Sequence, residues 1–304
     1  MSEKLPIVIK SELSPLKEEK KKFKFPPFVS LILRFLLVAL VSIILGANVQ
    51  VIYCYSRYQK FYVNGESMYP TLNRDTKVYD LEGNDVTPDT ITSLSDFDRA
   101  DRIYTCDYGL MDTTQNTIHN LERFDLAVTY YGSDFIVDAS GNPLLKSGSS
   151  LKIKRIIALP NEEAYFDEKG DLYIKEANKE EFAYFHQPFL EKQSDWDDAL
   201  VEWVNKYKPD TVTKSNPNIR YGTKSNPIVL KDGEYFLVGD NRMNGKSHDS
   251  RQEGAIPFYA VMGKAVVVTA KCKFSVERND SGELSFKQEV IPSSILMPWD
   301  YRYL

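Results

Sequence analysis

The stretch from residue 64 to residue 72 reads Asn64-Gly65-Glu66-Ser67-Met68-Tyr69-Pro70-Thr71-Leu72. Gly65 permits a backbone with positive φ and Pro70 fixes φ, so Ser67 is predicted to lie on a rigid turn. A serine in such a turn is usually only a turn residue. What surrounds it therefore decides whether it carries chemistry.

A long apolar segment, residues 28–47, ends about twenty residues before Ser67. As a helix, about 20 residues span roughly 30 Å, which matches the hydrocarbon core of a bilayer. Arg34 interrupts the segment near its start, where a long side chain can reach the interface. The segment is too long for a signal-peptide core and apolar on every face, unlike a buried helix. It is therefore predicted to be an uncleaved transmembrane anchor.

Charge is distributed unevenly along the chain. Residues 1–27 hold seven Lys and four Glu, a net +3, so the overall net charge of −5 leaves −8 for the remainder. The basic tail is interpreted as a membrane flank, and nothing indicates nucleic-acid binding. The positive-inside rule places the N-terminus in the cytoplasm and residues 50–304 outside.

Three cysteines occur, at positions 54, 106 and 272, without CxxC spacing or a nearby histidine pattern. Neither a metal site nor any other cofactor is expected. Cys106 and Cys272 would both lie in an exported domain. They either form a disulfide or are separate small hydrophobic residues.

Short segments rich in β-branched and aromatic residues follow the anchor, separated by turn signals such as Asp167-Glu168-Lys169-Gly170. They predict a mainly β fold with an antiparallel sheet as its core. Residues 180–208 have helical spacing and predict one or two helices. Two polar regions, residues 81–120 and 163–230, are interpreted as insertions into this core.

A serine hydroxyl is a weak nucleophile until a neighbouring base accepts its proton. That base can be histidine, or a lysine held neutral by burial against apolar groups. Lys154 suits this role because, in an alternating strand, it shares a face with Ile156 and Ala158. Serine–lysine pairs are a known variant of the catalytic triad.

Two later stretches accompany the serine stretch: Lys154-Arg155-Ile156-Ile157-Ala158-Leu159-Pro160, and Gly239-Asp240-Asn241-Arg242 followed by Ser247-His248-Asp249-Ser250-Arg251. Together, in this order and behind an anchor, they resemble the type I (leader) signal peptidases of bacteria. The resemblance extends from the anchor to about Thr269. It departs from the family in residues 123–125, in residues 158–162 and in two extra residues, taken as Gly245-Lys246.

The resemblance implies a role for each matching residue. Ser67 takes the place of the nucleophile and Lys154 that of the general base, while Gly65 shapes the turn whose Ser67 N–H forms an oxyanion hole. The supporting positions are Ser247, which orients the lysine amine, Asp249 and Arg251, a polar pair that stabilises the site, and Asp240, near the start of the Gly239-Asp240-Asn241-Arg242 stretch. Met68 and Pro70 lie at the substrate pocket.

Two other residues compete for the role of base. Lys152 shares the face of Lys154, but the Lys154-Arg155 pair matches the family better. His248 lies between Ser247 and Asp249 and suggests a Ser-His-Asp triad. The base position of the family is already occupied by Lys154, so His248 is not expected to act.

The resemblance also implies the domain layout. Residues 1–27 form a cytoplasmic basic tail and residues 28–47 the anchor. Residues 48–162 and 231–304 form the catalytic β core, and residues 163–230 a variable second domain inserted into it.

The implied function is that of a single-pass serine endopeptidase of the plasma membrane, with its catalytic domain outside the cytoplasm. Its partners would be precursor proteins with N-terminal signal peptides, and the lipid bilayer. Its oligomeric state is not indicated. The alternative is a catalytically silent or dedicated homologue, acting as an accessory binding factor in surface-protein or pilus assembly. A self-cleaving repressor is disfavoured by the anchor and by the lack of a DNA-binding region.

Overall fold

A computed structural model of the chain describes residues 26–87, 103–212, 218–278, 284–297 and 300–304. The predicted basic tail, residues 1–27, lies outside these ranges except for its last two residues. The helices are α1 (Pro27–Arg57), α2 (Gln115–His119), α3 (Asp198–Tyr207) and α4 (Ser250–Glu253). The strands are β1 (Tyr58–Tyr62), β2 (Val78–Tyr79), β3 (Ile103–Asp112), β4 (Leu126–Thr129), β5 (Phe135–Val137), β6 (Pro143–Leu145), β7 (Lys152–Ala158), β8 (Glu163–Phe166), β9 (Leu172–Lys175), β10 (Ala183–Phe185), β11 (Ile228–Val229), β12 (Glu234–Val238), β13 (Ile256–Pro257), β14 (Val261–Arg278), β15 (Leu284–Val290) and β16 (Arg302–Tyr303).

Helix α1 contains the predicted anchor and extends beyond it. It has 31 residues and none of them is buried. Its most apolar window has a mean hydropathy of 2.8, so by length and composition it is able to cross a membrane. The predicted span, residues 28–47, lies wholly inside it, and the helix continues to Arg57. The chain divides into two units at Tyr53, and Cys54–Leu304 contains all the described strands.

The main sheet is antiparallel and contains ten of the described strands, which confirms the mainly β prediction. Its central order is β1-β3-β14-β4-β7-β12-β13, with β2 paired to β3, and β15 and β16 paired to β14. Strand β14 has 18 residues and pairs along its length with β3, β4, β15 and β16. The fold of this unit therefore depends on long-range pairing around one long strand.

Strand β7 lies inside the main sheet, with β4 on one side and β12 on the other. Lys154 is opposite Ala127 of β4 in this register. Because both neighbours are strands of the sheet, the middle of β7 has no open edge. Lys154 of β7 is therefore a lysine within the main sheet, and it is only 4% exposed.

A second sheet of four strands has the order β10-β9-β8-β11 and lies within the region predicted as an insertion, residues 163–230. Its inner face and part of the main sheet form one hydrophobic cluster. The cluster consists of Ile157, Ala158, Ala164, Phe166, Leu172, Ile174, Ile228, Leu230, Phe236 and Val238. Both sheets belong to the compact unit Cys54–Leu304. An independent inserted domain stays a prediction.

The structure confirms one helix within residues 180–208 and differs from the predicted insertion over residues 81–120. Residues 180–208 contain strand β10 and the single helix α3, because Pro188 has no N–H for a continuous helix and Asp197 caps a new helix start by accepting from Leu200 N. In the predicted insertion 81–120, residues 88–102 lie outside the described ranges. The ten residues of β3 that follow them lie between β1 and β14 in the main sheet.

Cys106 and Cys272 lie directly opposite each other on β3 and β14. Both side chains are buried, and their Sγ atoms are 3.0 Å apart. Both thiols are free in this structure. Of the two alternatives left open by the sequence, the disulfide is therefore not formed in this structure, although the strand register brings the two residues together.

Replacing Phe166 by alanine tests whether the two sheets fold as one unit. Phe166 is 1% exposed and its ring centroid is 6.2 Å from that of Phe236 in the main sheet. We expect Phe166→Ala to lower the free energy of unfolding by about 3–5 kcal/mol, through lost burial and an unfilled cavity. Denaturant unfolding of the full chain in detergent, followed by tryptophan fluorescence and circular dichroism, should give coincident transitions.

The matched control is Tyr184→Ala on the outer face of the same small sheet, where the side chain is 55% exposed. Its effect should stay within about 0.5 kcal/mol. If the fluorescence of Trp196 and Trp203 changed in an earlier, separate transition, residues 163–230 would be an independent folding unit.

Candidate active site

Ser67 lies on a compact turn that packs into the core below it. Tyr69 N donates to Glu66 O at 2.9 Å and Leu72 N donates to Met68 O at 2.9 Å. The side chains of Met68 and Leu72 are fully buried in a hydrophobic cluster, whereas Ser67 is half-buried. The apolar residues thus hold the turn on the sheet and leave the hydroxyl accessible.

Gly65 has φ +117, in the region that favours glycine, as expected for the entry to this turn. Met68 and Pro70 were predicted to line a substrate pocket, and both side chains are buried. Met68 contributes to the hydrophobic core beneath the turn. Their part in a substrate pocket stays a prediction.

The side chain of Lys154 reaches Ser67 from the middle of β7. Its Nζ lies 2.8 Å from Ser67 Oγ and donates to Ile153 O at 2.9 Å. The residue is only 4% exposed. Burial lowers its pKa from 10.5 to about 8, with the positive charge of Lys152 lowering it further and the carboxylate of Asp249 opposing the shift. A neutral amine beside the hydroxyl is therefore accessible near neutral pH.

Lys152, the alternative base, has other contacts. Its Nζ donates to Ser150 O at 2.5 Å and lies 4.8 Å from the centre of the Tyr131 ring. The two lysines share a strand face, as predicted, but the hydrogen-bonded partner of the Ser67 hydroxyl is Lys154.

The stretch Gly239-Asp240-Asn241 holds the serine turn from the other side. Asn241 N donates to Ser67 O at 3.1 Å and its Nδ2 donates to Glu66 O at 3.1 Å. A Cβ atom on Gly239 would lie 2.5 Å from Ser67 O and 2.2 Å from Ser247 Oγ, so only glycine fits there. This close approach explains the glycine in the motif.

Asp240 forms a buried ion pair with Arg155. Arg155 Nε donates to Asp240 Oδ1 at 2.8 Å and Nη2 to Oδ2 at 2.6 Å. Thr71 Oγ1 also donates to Asp240 Oδ2 at 2.6 Å. Because Arg155 follows Lys154 and Thr71 ends the serine turn, this pair ties the two reactive segments to one loop.

Asp249 and Arg251 form the second buried pair. Arg251 donates from Nε and Nη2 to the two carboxylate oxygens of Asp249, both at 2.8 Å. Burial opposes ionisation of Asp249, but Arg251 and hydrogen bonds from Gly239 N and Ser247 Oγ outweigh it, and its pKa falls to about 2. The carboxylate therefore stays charged and fixes the loop.

Ser247 was expected to orient the lysine amine. In the structure its hydroxyl donates to Asp249 Oδ2 at 2.7 Å. Within the described ranges, the hydrogen bonds of Lys154 Nζ go to Ser67 and Ile153. Ser247 therefore helps to hold the Asp249 carboxylate, and its predicted contact with the lysine is not formed.

His248 lies at the surface, 59% exposed, with Nε2 at 2.6 Å from Glu253 Oε1. Its carbonyl accepts a short hydrogen bond from the Tyr131 hydroxyl. Its ring is engaged with Glu253, on the outside of the loop that carries Ser247 and Asp249. The geometry gives no support to a Ser-His-Asp arrangement.

Sequence reasoning missed the supporting roles of Asn241, Arg155 and Tyr131. Asn241 and Arg155 lie inside the stretches quoted in the sequence analysis, so the sequence indicated these positions but not the contacts that they make. Tyr131 carried no signal in the sequence. Among the described residues, no group of three or more His, Cys, Asp or Glu side chains could hold a metal ion.

The comparisons with known proteins agree with this geometry. The family model described as signal peptidase, peptidase S26, matches residues 32–270 of the chain. No curated protein matches it. The family match covers well over half of the chain and includes the serine turn, β7 and the loop of the two buried ion pairs. The chain therefore belongs to the signal peptidase family, peptidase S26.

Proposed function

We propose that this chain is a membrane-anchored serine endopeptidase that removes N-terminal signal peptides from exported precursors with Ser67 and Lys154. One observation carries the proposal: a buried lysine amine lies 2.8 Å from the hydroxyl of a serine on a rigid turn. Family membership supports peptidase activity on such precursors in general. The choice of these two residues rests on their geometry.

Ser67 Oγ attacks the carbonyl carbon of the scissile bond while its proton passes to neutral Lys154 Nζ. The C–N bond then breaks and the lysine ammonium returns the proton to the leaving amine. Water hydrolyses the ester that remains on Ser67, with the same lysine as base.

The backbone N–H of Ser67 is the proposed donor to the oxyanion that forms in these steps. No hydrogen-bond acceptor for it occurs in the described ranges. It is thus free to donate to a substrate. The glycine at position 65 supports the turn that directs it.

Helix α1 is the proposed membrane anchor. Its 31 residues correspond to about 47 Å of helix, longer than the roughly 30 Å hydrocarbon core of a bilayer. The lysine-rich segment before it supports a cytoplasmic N-terminus and an extracytoplasmic catalytic unit. An anchor of this kind confines the enzyme to the membrane that holds its precursors, which raises their effective concentration.

The first test is cleavage of a precursor carrying an Ala-x-Ala site by the full chain in detergent. We expect cutting after the second alanine, and a loss of at least about 10³-fold for Ser67→Ala and for Lys154→Met, since either change removes the nucleophile or its base. Mass spectrometry of the products gives the site of cutting.

Lys152→Met is the matched control, because it makes the same substitution two residues earlier on the same strand face. It should retain most of the activity. Retained activity in Lys154→Met would remove that lysine from the mechanism. A native protein that cuts no precursor would favour the accessory binding factor.

The pH dependence provides a second test. The base works when neutral, so kcat/KM should rise about tenfold per pH unit and level off above the Lys154 pKa of about 8. Lys152→Met removes a nearby positive charge that lowers this pKa, so its rising limb should shift to higher pH. An acidic optimum, or a limb that does not move, would count against this electrostatic account.

A third test concerns His248. Its imidazole faces Glu253 at the surface, so His248→Ala should change kcat/KM by less than about threefold, the size of an ordinary surface substitution. Circular dichroism controls for folding. Complete loss of cleavage in a folded variant would restore the triad hypothesis.

A further inference from the structure

A buried carboxylate lies behind the serine turn and outside the catalytic pair. Asp107, on β3, is 0% exposed. Its Oδ2 accepts from Asn73 N at 2.8 Å, and its Oδ1 accepts from Lys271 Nζ at 2.6 Å. Arg302 Nη2 makes a further, short contact with Oδ2. Burying a charged group is costly unless it is paired, and these two cations are its charged partners.

Asn73 connects this carboxylate to the segment that carries the nucleophile. It is buried and has φ +60, a conformation that asparagine tolerates better than most residues. Its Nδ2 donates to Val63 O at 2.6 Å and to Gly65 O at 2.8 Å. Its Oδ1 accepts from Asp107 N at 2.7 Å. One amide side chain therefore fixes two carbonyl groups just before Ser67.

Fixing the Gly65 carbonyl has a direct consequence for the turn. A peptide unit is planar and trans, so its N–H points opposite to its C=O. With the Gly65 oxygen held by Asn73, the Glu66 N–H of the same peptide unit is oriented as well. The next peptide is held separately, because Glu66 O accepts from Asn241 Nδ2 at 3.1 Å, and it leads into Ser67, whose hydroxyl lies 2.8 Å from Lys154 Nζ.

The two cations come from beyond the part of the chain that matches the family model, residues 32–270. Lys271 belongs to the outer half of β14. Arg302 belongs to β16, where it lies opposite Val268 of β14. Pairing with β14 thus places β16 where Arg302 contacts Asp107, behind the serine turn.

We propose that Asn73 is a positioning residue for Ser67, and that Lys271 and Arg302 maintain it by balancing the charge of Asp107. These four residues are called the Asp107 clasp. The role rests on the proposed function, since it concerns the rate of the serine reaction. Loss of a cation leaves the buried Asp107 carboxylate with less compensating charge, so that it moves toward water and releases Asn73 N.

Asn73→Gly tests the clasp without backbone strain, because glycine adopts positive φ freely. A nucleophile displaced by about 1 Å can cost roughly 10²-fold, so kcat should fall about 10- to 100-fold while KM changes less than about threefold. Hydrogen exchange should become faster at the amides of residues 66–73 and stay unchanged in the small sheet. The matched control is Asn178→Gly, an exposed asparagine with φ +67 in the turn between β9 and β10.

Arg302→Gln removes one cation of the clasp and should lower kcat about 3- to 10-fold, with faster exchange in the same amides. Arg302→Lys restores the charge and should recover most of both. If Arg302 contributed only to general stability, Arg302→Gln would also speed hydrogen exchange in the small sheet.

Two results would overturn the proposal. One is unchanged exchange at residues 66–73 in both Asn73→Gly and Arg302→Gln. The other is faster exchange there with kcat unaffected. Native protein that fails to cut any precursor would instead contradict the proposed function, and the exchange data would still decide whether the clasp holds the turn.

Discussion

The structure of the site depends on keeping one amine away from water. In the proposed mechanism Lys154 has to lose its proton near neutral pH to act on Ser67, and burial is the largest cause of its lowered pKa. A lysine at a sheet edge would be solvated and charged. In β7 Lys154 lies opposite Ala127 of β4, the next residue, Arg155, pairs with both β4 and β12, and Lys154 is only 4% exposed. In the proposed mechanism the ten-stranded sheet therefore serves the chemistry as well as the fold.

Buried ion pairs fix the loops that meet at this amine. Arg155 with Asp240 joins the strand of the base to the serine turn, and Arg251 with Asp249 orders the loop that follows. Such pairs contribute little net stability, because the cost of desolvation offsets much of their attraction. Their value here is geometric, since breaking one leaves an unpaired buried charge. Because an unpaired buried charge is so costly, the two ion pairs hold the segments of Ser67 and Lys154 in place.

The small sheet shares this dependence on the core. Phe166 on the small sheet and Phe236 on the main sheet belong to one hydrophobic cluster, and β12 leads directly into the Gly239 loop. A disturbance of the small sheet would thus reach the site through packed side chains.

The sequence by itself predicted a helix able to cross a membrane, the mainly β fold, and the serine and lysine that the structure places 2.8 Å apart. These predictions depend on local signals: a long apolar segment, alternating apolar and polar residues in strands, and short motifs whose residue types indicate a reaction. Tertiary structure alone decided the partner of Ser247, the contacts of Asn241, Arg155 and Asn73, and the division of residues 180–208 between β10 and α3. Each of these is a contact between segments far apart in sequence, such as Asn73 with Asp107. No local pattern specifies such contacts, because they arise only when the long strand β14 brings its partners together.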